Sequence, residues 1–486
     1  MSRARLHAGA SLLAALLSAC SGRPVAPVAH VQPAASAPLA VPGWSSADLR
    51  AVQRTLETTL RAPLFAGAGI AVVDAQGRLL YTRHAFAPYV PASTFKLLVA
   101  ATALHVLGPS FRFPTTLEAL SPPERGTLPG DLYLVGSGDP TLTRDDLRAG
   151  VDAIVRDGVR AVDGRIVADA SAFSDPEVNR AWDPDDLRYG YAAGTSALSL
   201  DQGTVEFHIV PTVPGAPARI RVLPESTLVH FSGGILTAST TLLQIERAPV
   251  RNDFTFDGRI AAGAEQSFWR PVTGLPLYAA DVTRSMLRRD GVSVGGGAVS
   301  GIAPLAPAIL WRHRSAPLSE IVREMLVTSN NHFAEQLLRA VGAVRGAGTA
   351  ANGWRVERAL LLRDAVPQAG LHVVDGSGLA TTDRVAPITL AMLLARAAAQ
   401  PQGSILIAAL PRVGLEGTVR WHRLTSALGR ARAKSGHIEG VDALAGYVLS
   451  RRHGRISFAV LINGPGADNG AADGALDPML DALARS

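Results

Sequence analysis

Helical and alternating patterns of apolar residues predict both helices and strands in the stretch that follows residue 43. A helix is predicted near residue 45, where apolar residues recur at helical spacing: Leu49, Val52, Leu56 and Leu60. Residues 69–83, GIAVVDAQGRLLYTR, predict two strands around a turn. Residues 91–108 begin with a proline and are small or apolar on every face, which predicts a buried helix that starts near Ser93.

The middle of the chain changes to short strand patterns. In TVEFHIV, residues 204–210, Val205, Phe207 and Ile209 alternate with polar neighbours, as in a half-buried strand. A helix near residues 143–157 interrupts these strands. Later patterns predict helices at 276–289, 317–342 and 385–399, strands at 443–450 and 455–464, and a closing helix with Leu476, Leu480 and Leu483.

Strands near both ends of the chain, with helices beside them, predict an α+β fold whose sheet uses both termini. The middle of the chain is then an insertion. We therefore predict one discontinuous domain, residues 44–112 and 271–486, and an inserted β-rich region, residues 113–270.

The N-terminus predicts export. A short basic start precedes an apolar run over residues 8–17, which is too short to span a bilayer and is typical of a signal peptide. The chain's only cysteine, Cys20, follows in a pattern that resembles the bacterial lipobox, whose thiol is lipidated. We predict a signal peptide at 1–19, lipidation of Cys20 and a Pro/Ala-rich tether at 20–43. The alternatives are a buried cysteine or an ordinary signal peptide.

Export and lipidation predict a periplasmic protein anchored in a membrane. Ser21 follows the cysteine, in place of the aspartate that resembles an inner-membrane retention signal. We therefore expect the outer membrane to hold the anchor.

Composition indicates a globular protein, because 47% of the residues are hydrophobic and 18% are charged. The net charge is +6, but the arginines are scattered, so we predict no nucleic-acid partner. The single cysteine excludes an internal disulfide. The histidines and carboxylates show no metal-ligand spacing, so no metal or organic cofactor is implied.

Lysine is almost absent from this chain. Of 47 Lys plus Arg residues only Lys96 and Lys434 are lysines, which leaves 47 − 2 = 45 arginines. The composition strongly favours arginine over lysine. We therefore predict that each remaining lysine has a role that arginine cannot fill, such as losing its proton near neutral pH. Desolvation lowers the pKa of an amine from about 10.4 toward 7–8, whereas a guanidinium stays charged up to a pH of about 12.

Lys96 lies three residues after Ser93, a spacing that places both side chains on one helix face within hydrogen-bonding reach. A serine hydroxyl is a weak nucleophile until a neighbouring base takes its proton. The helix N-terminus also favours an oxyanion. This pair is therefore a candidate nucleophile and base.

Two further motifs follow. Lys434-Ser435-Gly436 precedes a predicted strand, and a cation and a hydroxyl on an edge strand would suit a substrate carboxylate. Between the two lysines, Ser329-Asn330-Asn331 lies just inside a predicted helix, and alone the motif would be interpreted as an N-cap at Ser329 or Asn330.

The order of the three motifs resembles that of the penicillin-recognising serine enzymes, the penicillin-binding proteins and serine β-lactamases. The wider sequence is similar to the D-alanyl-D-alanine carboxypeptidase/endopeptidases, low-molecular-mass class C penicillin-binding proteins with a large insertion after the first motif. The matching stretches lie within residues 65–465: PASTFKLLVAATAL, GDLYLVGSGDPTLT, GRIVADASAF, YAAGTSALSLDQGTVEF, TSNNHFAEQLL, DGSGLA and GVDALAGYV. The resemblance implies a β-lactamase-like transpeptidase domain, an antiparallel sheet flanked by helices, with a β-rich insertion.

The resemblance also implies roles for the motif residues. Ser93 would be the acylated nucleophile and Lys96 its general base. Ser329 and Asn331 would relay a proton to the leaving group and hold the substrate amide. Residues 375–378, Asp-Gly-Ser-Gly, resemble a family motif with a structural role in a loop near the site.

The third motif would bind the substrate's terminal carboxylate through Lys434 and Ser435. The backbone N–H groups of Ser93 and His437 would form the oxyanion hole. Two positions depart from the family pattern: Ser435 stands where threonine is usual, and His437 where a small hydroxyl residue is usual. Backbone donation survives the second change.

The implied activity is that of a serine-type D-Ala-D-Ala carboxypeptidase or endopeptidase acting on peptidoglycan peptides and cross-links. β-Lactam antibiotics would be covalent inhibitors. One alternative is a serine β-lactamase, although its deacylating Glu-x-x-x-Asn segment would follow Ser329, whereas the similar residues 175–179 precede it and are interpreted as a loop. Another is a non-catalytic peptidoglycan-binding lipoprotein. Acylation of Ser93 separates these hypotheses.

Overall fold

The computed structural model describes residues 43–467, 470 and 474–486. These residues belong to one structural unit. The predicted signal peptide and Cys20 lie outside the described residues, as does the predicted tether apart from its last residue.

The described residues form ten α-helices and twenty β-strands. The helices are α1 (Ser46–Thr59), α2 (Lys96–Val106), α3 (Arg144–Arg156), α4 (Leu275–Arg289), α5 (Leu318–Thr328), α6 (Asn331–Ala343), α7 (Ala350–Arg363), α8 (Pro387–Ala398), α9 (Gly403–Ala409) and α10 (Asp477–Arg485). The first ten strands are β1 (Gly69–Asp74), β2 (Leu79–Arg83), β3 (Pro114–Ala119), β4 (Thr127–Leu128), β5 (Leu132–Gly136), β6 (Ala161–Val162), β7 (Ile166–Asp169), β8 (Thr204–Val210), β9 (Arg219–Leu223) and β10 (His230–Gly233). The last ten are β11 (Leu236–Ala238), β12 (Leu242–Arg247), β13 (Asp253–Ala261), β14 (Gln266–Pro271), β15 (Ser293–Val294), β16 (Ala298–Ser300), β17 (Ala308–Arg314), β18 (Ala431–Ile438), β19 (Val441–Leu449) and β20 (Arg455–Asn463).

Strands from both ends of the chain form one antiparallel sheet, in the order β18-β19-β20-β1-β2. β1 is buried on both faces. Its Ala71 and Val73 join the core formed with α2 and α8, whereas Ile70 and Val72 join the core formed with α1 and α10. Successive side chains of a strand point to opposite faces, so a continuous apolar run fits a strand covered on both sides.

The described strands between β3 and β17 pair only with one another, in four further sheets: β16-β7-β5-β3-β17, β15-β6-β4, β14-β8-β9, and β10-β13-β11 with β12 beside β13. We call residues 114–314 the middle region. Its helices α3 and α4 share a separate apolar core with these sheets. In β8 the alternating Val205, Phe207 and Ile209 are fully buried, as predicted.

The α+β class and the antiparallel sheet flanked by helices are confirmed. The single helix predicted at residues 317–342 is wrong. Ser329 adopts a φ of 61°, a left-handed conformation that ends α5, and Asn330 caps a separate helix, α6. Sequence analysis also misses α7 and α9.

The predicted division into domains at residues 112 and 270 stays a prediction. In the described structure, the middle region extends beyond the predicted insertion, from residue 270 to Arg314. The reason is that β16 and β17 form the two edge strands of the sheet that contains β5. α4 likewise packs into the core of the middle region.

In the part of the chain that the structure describes, no helix combines the length and apolarity needed to cross a membrane.

Candidate active site

Ser93 lies in a tight turn that leads into α2. Residues Ala92–Phe95 form a 3₁₀ turn, and the α-helix itself begins at Lys96, slightly later than the sequence predicts. Ala92 has a φ of 45°, which is unusual for a residue with a side chain and marks local backbone strain. The turn leaves Ser93 partly exposed while Lys96 is fully buried beneath it.

The Lys96 amine is 0% exposed and contacts three oxygen atoms. Its Nζ lies 2.8 Å from Ser93 Oγ, 2.7 Å from Asn331 Oδ1 and 2.6 Å from the Ser377 carbonyl oxygen. The last two atoms can only accept hydrogen bonds. In the neutral amine, two N–H bonds satisfy them and the lone pair faces the Ser93 hydroxyl.

Burial favours this neutral form. Desolvation lowers the pKa of Lys96 to about 7, against the opposing effect of the nearby Asp375 and Glu335 carboxylates. A base whose pKa is close to the ambient pH suits proton transfer. The structure therefore brings together the pair that the sequence singles out.

The second motif lies at the junction of two helices. Ser329 ends α5, and the Asn330 side chain accepts a hydrogen bond from Phe333 N at the start of α6, so the N-cap interpretation is correct for Asn330. Asn331, one residue on, is turned to the site instead. Its Oδ1 contacts Lys96 and its Nδ2 donates to the Tyr191 carbonyl oxygen at 3.0 Å.

The third motif lies on β18, at the edge of the sheet, as predicted. Lys434 and Ser435 are both buried. Lys434 Nζ donates to the Ser435 carbonyl oxygen at 2.6 Å, and Ser435 Oγ donates to Thr418 Oγ1 at 2.7 Å. Burial, and secondarily the charge of Lys96, hold the pKa of Lys434 well below its usual range.

Gly436 allows β18 to lie against the turn that carries Ser93. A Cβ atom at this position would lie only 2.8 Å from Ser93 N. The close neighbour of this glycine is therefore the backbone of the serine turn. Any other residue here would push the predicted nucleophile and β18 apart.

His437 also lies on β18, and its side chain contacts the neighbouring strand β19. Its Nε2 lies 3.0 Å from Asp442 Oδ1, its partner across β18 and β19. This contact fixes the imidazole at the rim of the site.

The site opens into a cleft of about 420 Å³. Among the predicted residues, Ser93, Ser329, Asn331 and His437 line it. Lys96, Lys434 and Ser435 lie buried behind this surface. The middle region adds lining residues that sequence analysis misses: Asp183, Asp186 and Tyr191.

A buried loop, residues 375–380, completes the surroundings of Lys96. Glu335 Oε1 accepts hydrogen bonds from Gly376 N at 2.7 Å and Ser377 N at 2.9 Å. Sequence analysis expects a structural role for this loop but does not single out Glu335. The signal is its spacing, because Glu335 follows Asn331 by one helical turn and so lies on the same face of α6.

Two polar residues, His332 and Glu177, have structural contacts. His332 is buried, its Nδ1 lies 3.1 Å from the Gly194 carbonyl oxygen, and burial lowers its pKa to about 4. Glu177, in the loop that resembles a deacylation segment, accepts hydrogen bonds from Gly274 N and Leu275 N at the start of α4. Its carboxylate therefore serves as a helix cap.

The α+β fold and the three motifs in this order define the class of penicillin-recognising serine enzymes. The family model of D-Ala-D-Ala carboxypeptidase 3 (S13) matches residues 52–486. The chain is 34% identical over 448 residues to a D-alanyl-D-alanine carboxypeptidase of an Actinomadura species, across 86% of this chain and 82% of that protein. The chain therefore belongs to the D-Ala-D-Ala carboxypeptidase 3 (S13) family and is a serine-type peptidase.

Two further similarities agree. The chain is 26% identical over 386 residues to the D-alanyl-D-alanine carboxypeptidase DacB of Haemophilus influenzae, across 77% of this chain and 80% of that protein. The crystal structure of penicillin binding protein 4 (dacB) from Haemophilus influenzae matches with a TM-score of 0.74 at 24% identity, covering 89% of this chain and 97% of that one. The structural match extends the shared fold over the middle region.

Proposed function

We propose that this protein hydrolyses D-alanyl peptide bonds of peptidoglycan through an acyl-enzyme on Ser93, with Lys96 as the general base. One observation carries the proposal: a fully buried amine lies 2.8 Å from the serine hydroxyl, and its other two contacts are acceptor oxygens. This arrangement leaves the lone pair of a neutral lysine for the hydroxyl proton.

Acylation follows from these positions. The Ser93 hydroxyl proton passes to Lys96 Nζ as Ser93 Oγ bonds to the carbonyl carbon of the D-alanyl residue. The backbone N–H groups of Ser93 and His437 stabilise the resulting oxyanion. The C–N bond then breaks, and the leaving amine receives the proton from Lys96 through the hydroxyl of Ser329, which lines the same cleft.

Water completes the reaction. It attacks the ester carbon and gives up a proton to Lys96 as the new C–O bond forms. The ester C–O bond then breaks, and Ser93 Oγ recovers the proton. The open cleft suits both a terminal D-alanine and a D-alanyl cross-link, so we propose carboxypeptidase and endopeptidase activity.

Lys434 provides the positive charge for the substrate carboxylate. It is buried behind the cleft, so its field acts through the low-dielectric wall that Ser435 and His437 complete. A bound carboxylate favours the charged form of Lys434, whose pKa burial otherwise holds down. Asn331 also lines the cleft, and its amide would hold the substrate backbone.

We also propose that lipidated Cys20 anchors the protein to a membrane on the periplasmic side, with Ser21 favouring the outer membrane. The support is the lipobox-like sequence alone. Cys20→Ala tests the anchor, because it should move the protein from the membrane fraction to the soluble periplasmic fraction. An unchanged distribution would contradict lipid anchoring.

Fluorescent penicillin tests the chemistry. We expect the wild-type protein to take a covalent label on Ser93, Ser93→Ala to take none, and Lys96→Arg to be labelled far more slowly, while both variants keep their circular dichroism spectra. A folded wild-type protein that takes no label would contradict the acyl-enzyme and favour a peptidoglycan-binding role without turnover. A label that is lost rapidly by hydrolysis would favour a β-lactamase.

A further inference from the structure

A small apolar cluster attaches the middle region to the loop beside Lys96. Trp182 and Ala192 of the middle region and Ala380 of the loop are its buried members. A polar contact reinforces it, because Asn179 Nδ2 donates to the Val374 carbonyl oxygen at 2.9 Å. The middle region is therefore fixed to the loop by two kinds of contact.

The Asp375 carboxylate at the centre of this loop is fully buried and held by four donors. Three belong to the loop itself: Gly378 N at 2.6 Å, Ala380 N at 2.8 Å and Ser377 Oγ at 3.1 Å. The fourth is Trp182 Nε1, at 2.8 Å from Asp375 Oδ2. A buried carboxylate is tolerated only when it is well supplied with donors, so the indole N–H contributes to the integrity of the loop.

The loop acts directly on the proposed base. The Ser377 carbonyl oxygen accepts a hydrogen bond from Lys96 Nζ at 2.6 Å, and the Ser377 hydroxyl donates to Asp375. We propose that Trp182 is a positioning residue for Lys96: its indole N–H fixes Asp375, and thereby the loop whose Ser377 carbonyl orients the amine toward Ser93. The inference rests on the proposed roles of Ser93 and Lys96, and it gives the middle region a part in catalysis.

Charge provides a second route from Trp182 to the base. Three titratable groups from different elements interact with Lys96: Glu335 on α6, Asp375 between α7 and α8, and Lys434 on β18. Two further carboxyl groups act on these carboxylates, Glu357 of α7 on Glu335 and Asp383 on both Glu335 and Asp375. Burial, followed by the charge of Asp375 and a side-chain hydrogen bond with it, raises the pKa of Asp383 to about 10. Asp375 raises the pKa of Lys96, and a donor on Asp375 weakens that influence.

Two substitutions separate the hydrogen bond from the packing. Trp182→Phe keeps an aromatic ring in the cluster but removes the N–H donor. Trp182→His keeps a ring N–H at the equivalent position, since Nε2 of histidine and Nε1 of tryptophan are both two bonds from Cγ, but it removes most of the apolar bulk. The measurement is the rate of acylation of Ser93 by a fluorescent penicillin, taken as a function of pH.

We expect Trp182→Phe to acylate about tenfold more slowly than wild type, the usual cost of a lost hydrogen bond to a charged group. The pH profile of acylation should also shift to higher pH. Without the donor, the charge of Asp375 raises the pKa of Lys96 further, so the neutral amine forms only at a higher pH. Trp182→His should retain more activity than Trp182→Phe, since its ring N–H can still donate to Asp375. If Trp182→Phe fails to fold, benzothienylalanine at position 182 supplies the same shape as tryptophan without an N–H.

Wild-type rates and pH dependence in a folded variant without the N–H would overturn the inference. So would a histidine variant slower than the phenylalanine variant with both profiles unchanged, since that pattern indicates packing alone. A wild-type protein that is not labelled on Ser93 would overturn the proposed function, and this inference with it.

Discussion

The two lysines occupy buried sites that differ in what surrounds the amine. Lys96 has three oxygen partners and two carboxylates near enough to affect its pKa, whereas Lys434, within the described part of the chain, donates to the Ser435 carbonyl oxygen and makes no ion pair. Burial lowers the pKa of both. The carboxylates of the described residues thus act on Lys96, while none of them pairs with Lys434.

This difference assigns the two lysines opposite working states. Lys96 acts when it is neutral, because only then can its amine accept the serine proton. Lys434 acts when it is charged, and the carboxylate of the substrate favours that charge. The same residue type therefore serves as a base in one place and as an anion site in the other, according to its neighbours.

The largest effect is expected for Lys96→Arg. A guanidinium stays protonated and cannot accept the Ser93 proton, so the acylation rate should fall by about a thousandfold, within the range for a lost general base. Stopped-flow measurement with a fluorescent penicillin gives the rate. Arg345→Lys, at an exposed position, is the matched control and should leave it unchanged. Appreciable acylation by a folded Lys96→Arg variant would contradict the assignment of the base.

Lys434→Met should have the next largest effect, and it should depend on the substrate. Loss of the charge should lower kcat/KM for a peptide ending in D-Ala-D-Ala by about thirtyfold, corresponding to about 2 kcal/mol. A peptide that ends in a carboxamide carries no terminal charge and is hydrolysed more slowly by the wild type. The substitution should therefore change kcat/KM for this peptide little. Equal losses for both peptides would show that Lys434 supports the fold of the site and does not recognise the carboxylate.

The pH dependence distinguishes the two working states. Burial lowers the pKa of Lys96 to about 7, so the active neutral form is lost as the pH falls below that value. Acylation should be nearly constant above it and decline about tenfold for each pH unit well below it. A penicillin carrying no basic group is the suitable probe. An acylation rate that is flat through neutral pH would be at odds with a titrating base.

The smallest effect is expected at Ser435. Ser435→Ala leaves the Thr418 hydroxyl without the hydrogen bond that it accepts at 2.7 Å. The loss should lower kcat/KM for the carboxylate peptide about fivefold, corresponding to about 1 kcal/mol. Ser435→Thr keeps a hydroxyl and should behave like wild type. If alanine and threonine are equally harmful, the size of the side chain matters here and the hydroxyl does not.

Scarcity and spacing allow the two lysines and Ser93 to be found from the sequence. A bias against lysine makes each remaining one informative, and helical spacing places Ser93 beside Lys96. Alternation and apolar runs also predict β1, β2, β8, β19 and β20, and helical periodicity predicts most of the helices, because these patterns are local in the sequence.

The contribution of the middle region could not be found in this way. Trp182 reaches Asp375, and Tyr191 reaches Asn331, from segments far away along the chain. Contacts between residues so far apart in the sequence produce no periodic pattern of apolar residues that could predict them. The left-handed conformation of Ser329 is also hidden in the sequence, because it is set by the surroundings of the serine and not by its side chain.

The most direct measurement is the titration of the lysines themselves. With only Lys96 and Lys434 in the chain, a protein labelled with ¹³C at lysine Cε gives two signals, assigned by Lys96→Arg and Lys434→Arg. The account predicts that Lys96 titrates at about 7, and that the pKa of Lys434 lies well below its usual range and rises when a D-alanyl peptide carboxylate is bound at an unreactive Ser93→Ala site. A Lys96 signal that titrates near the ordinary lysine value of about 10.4 would contradict its role as the base.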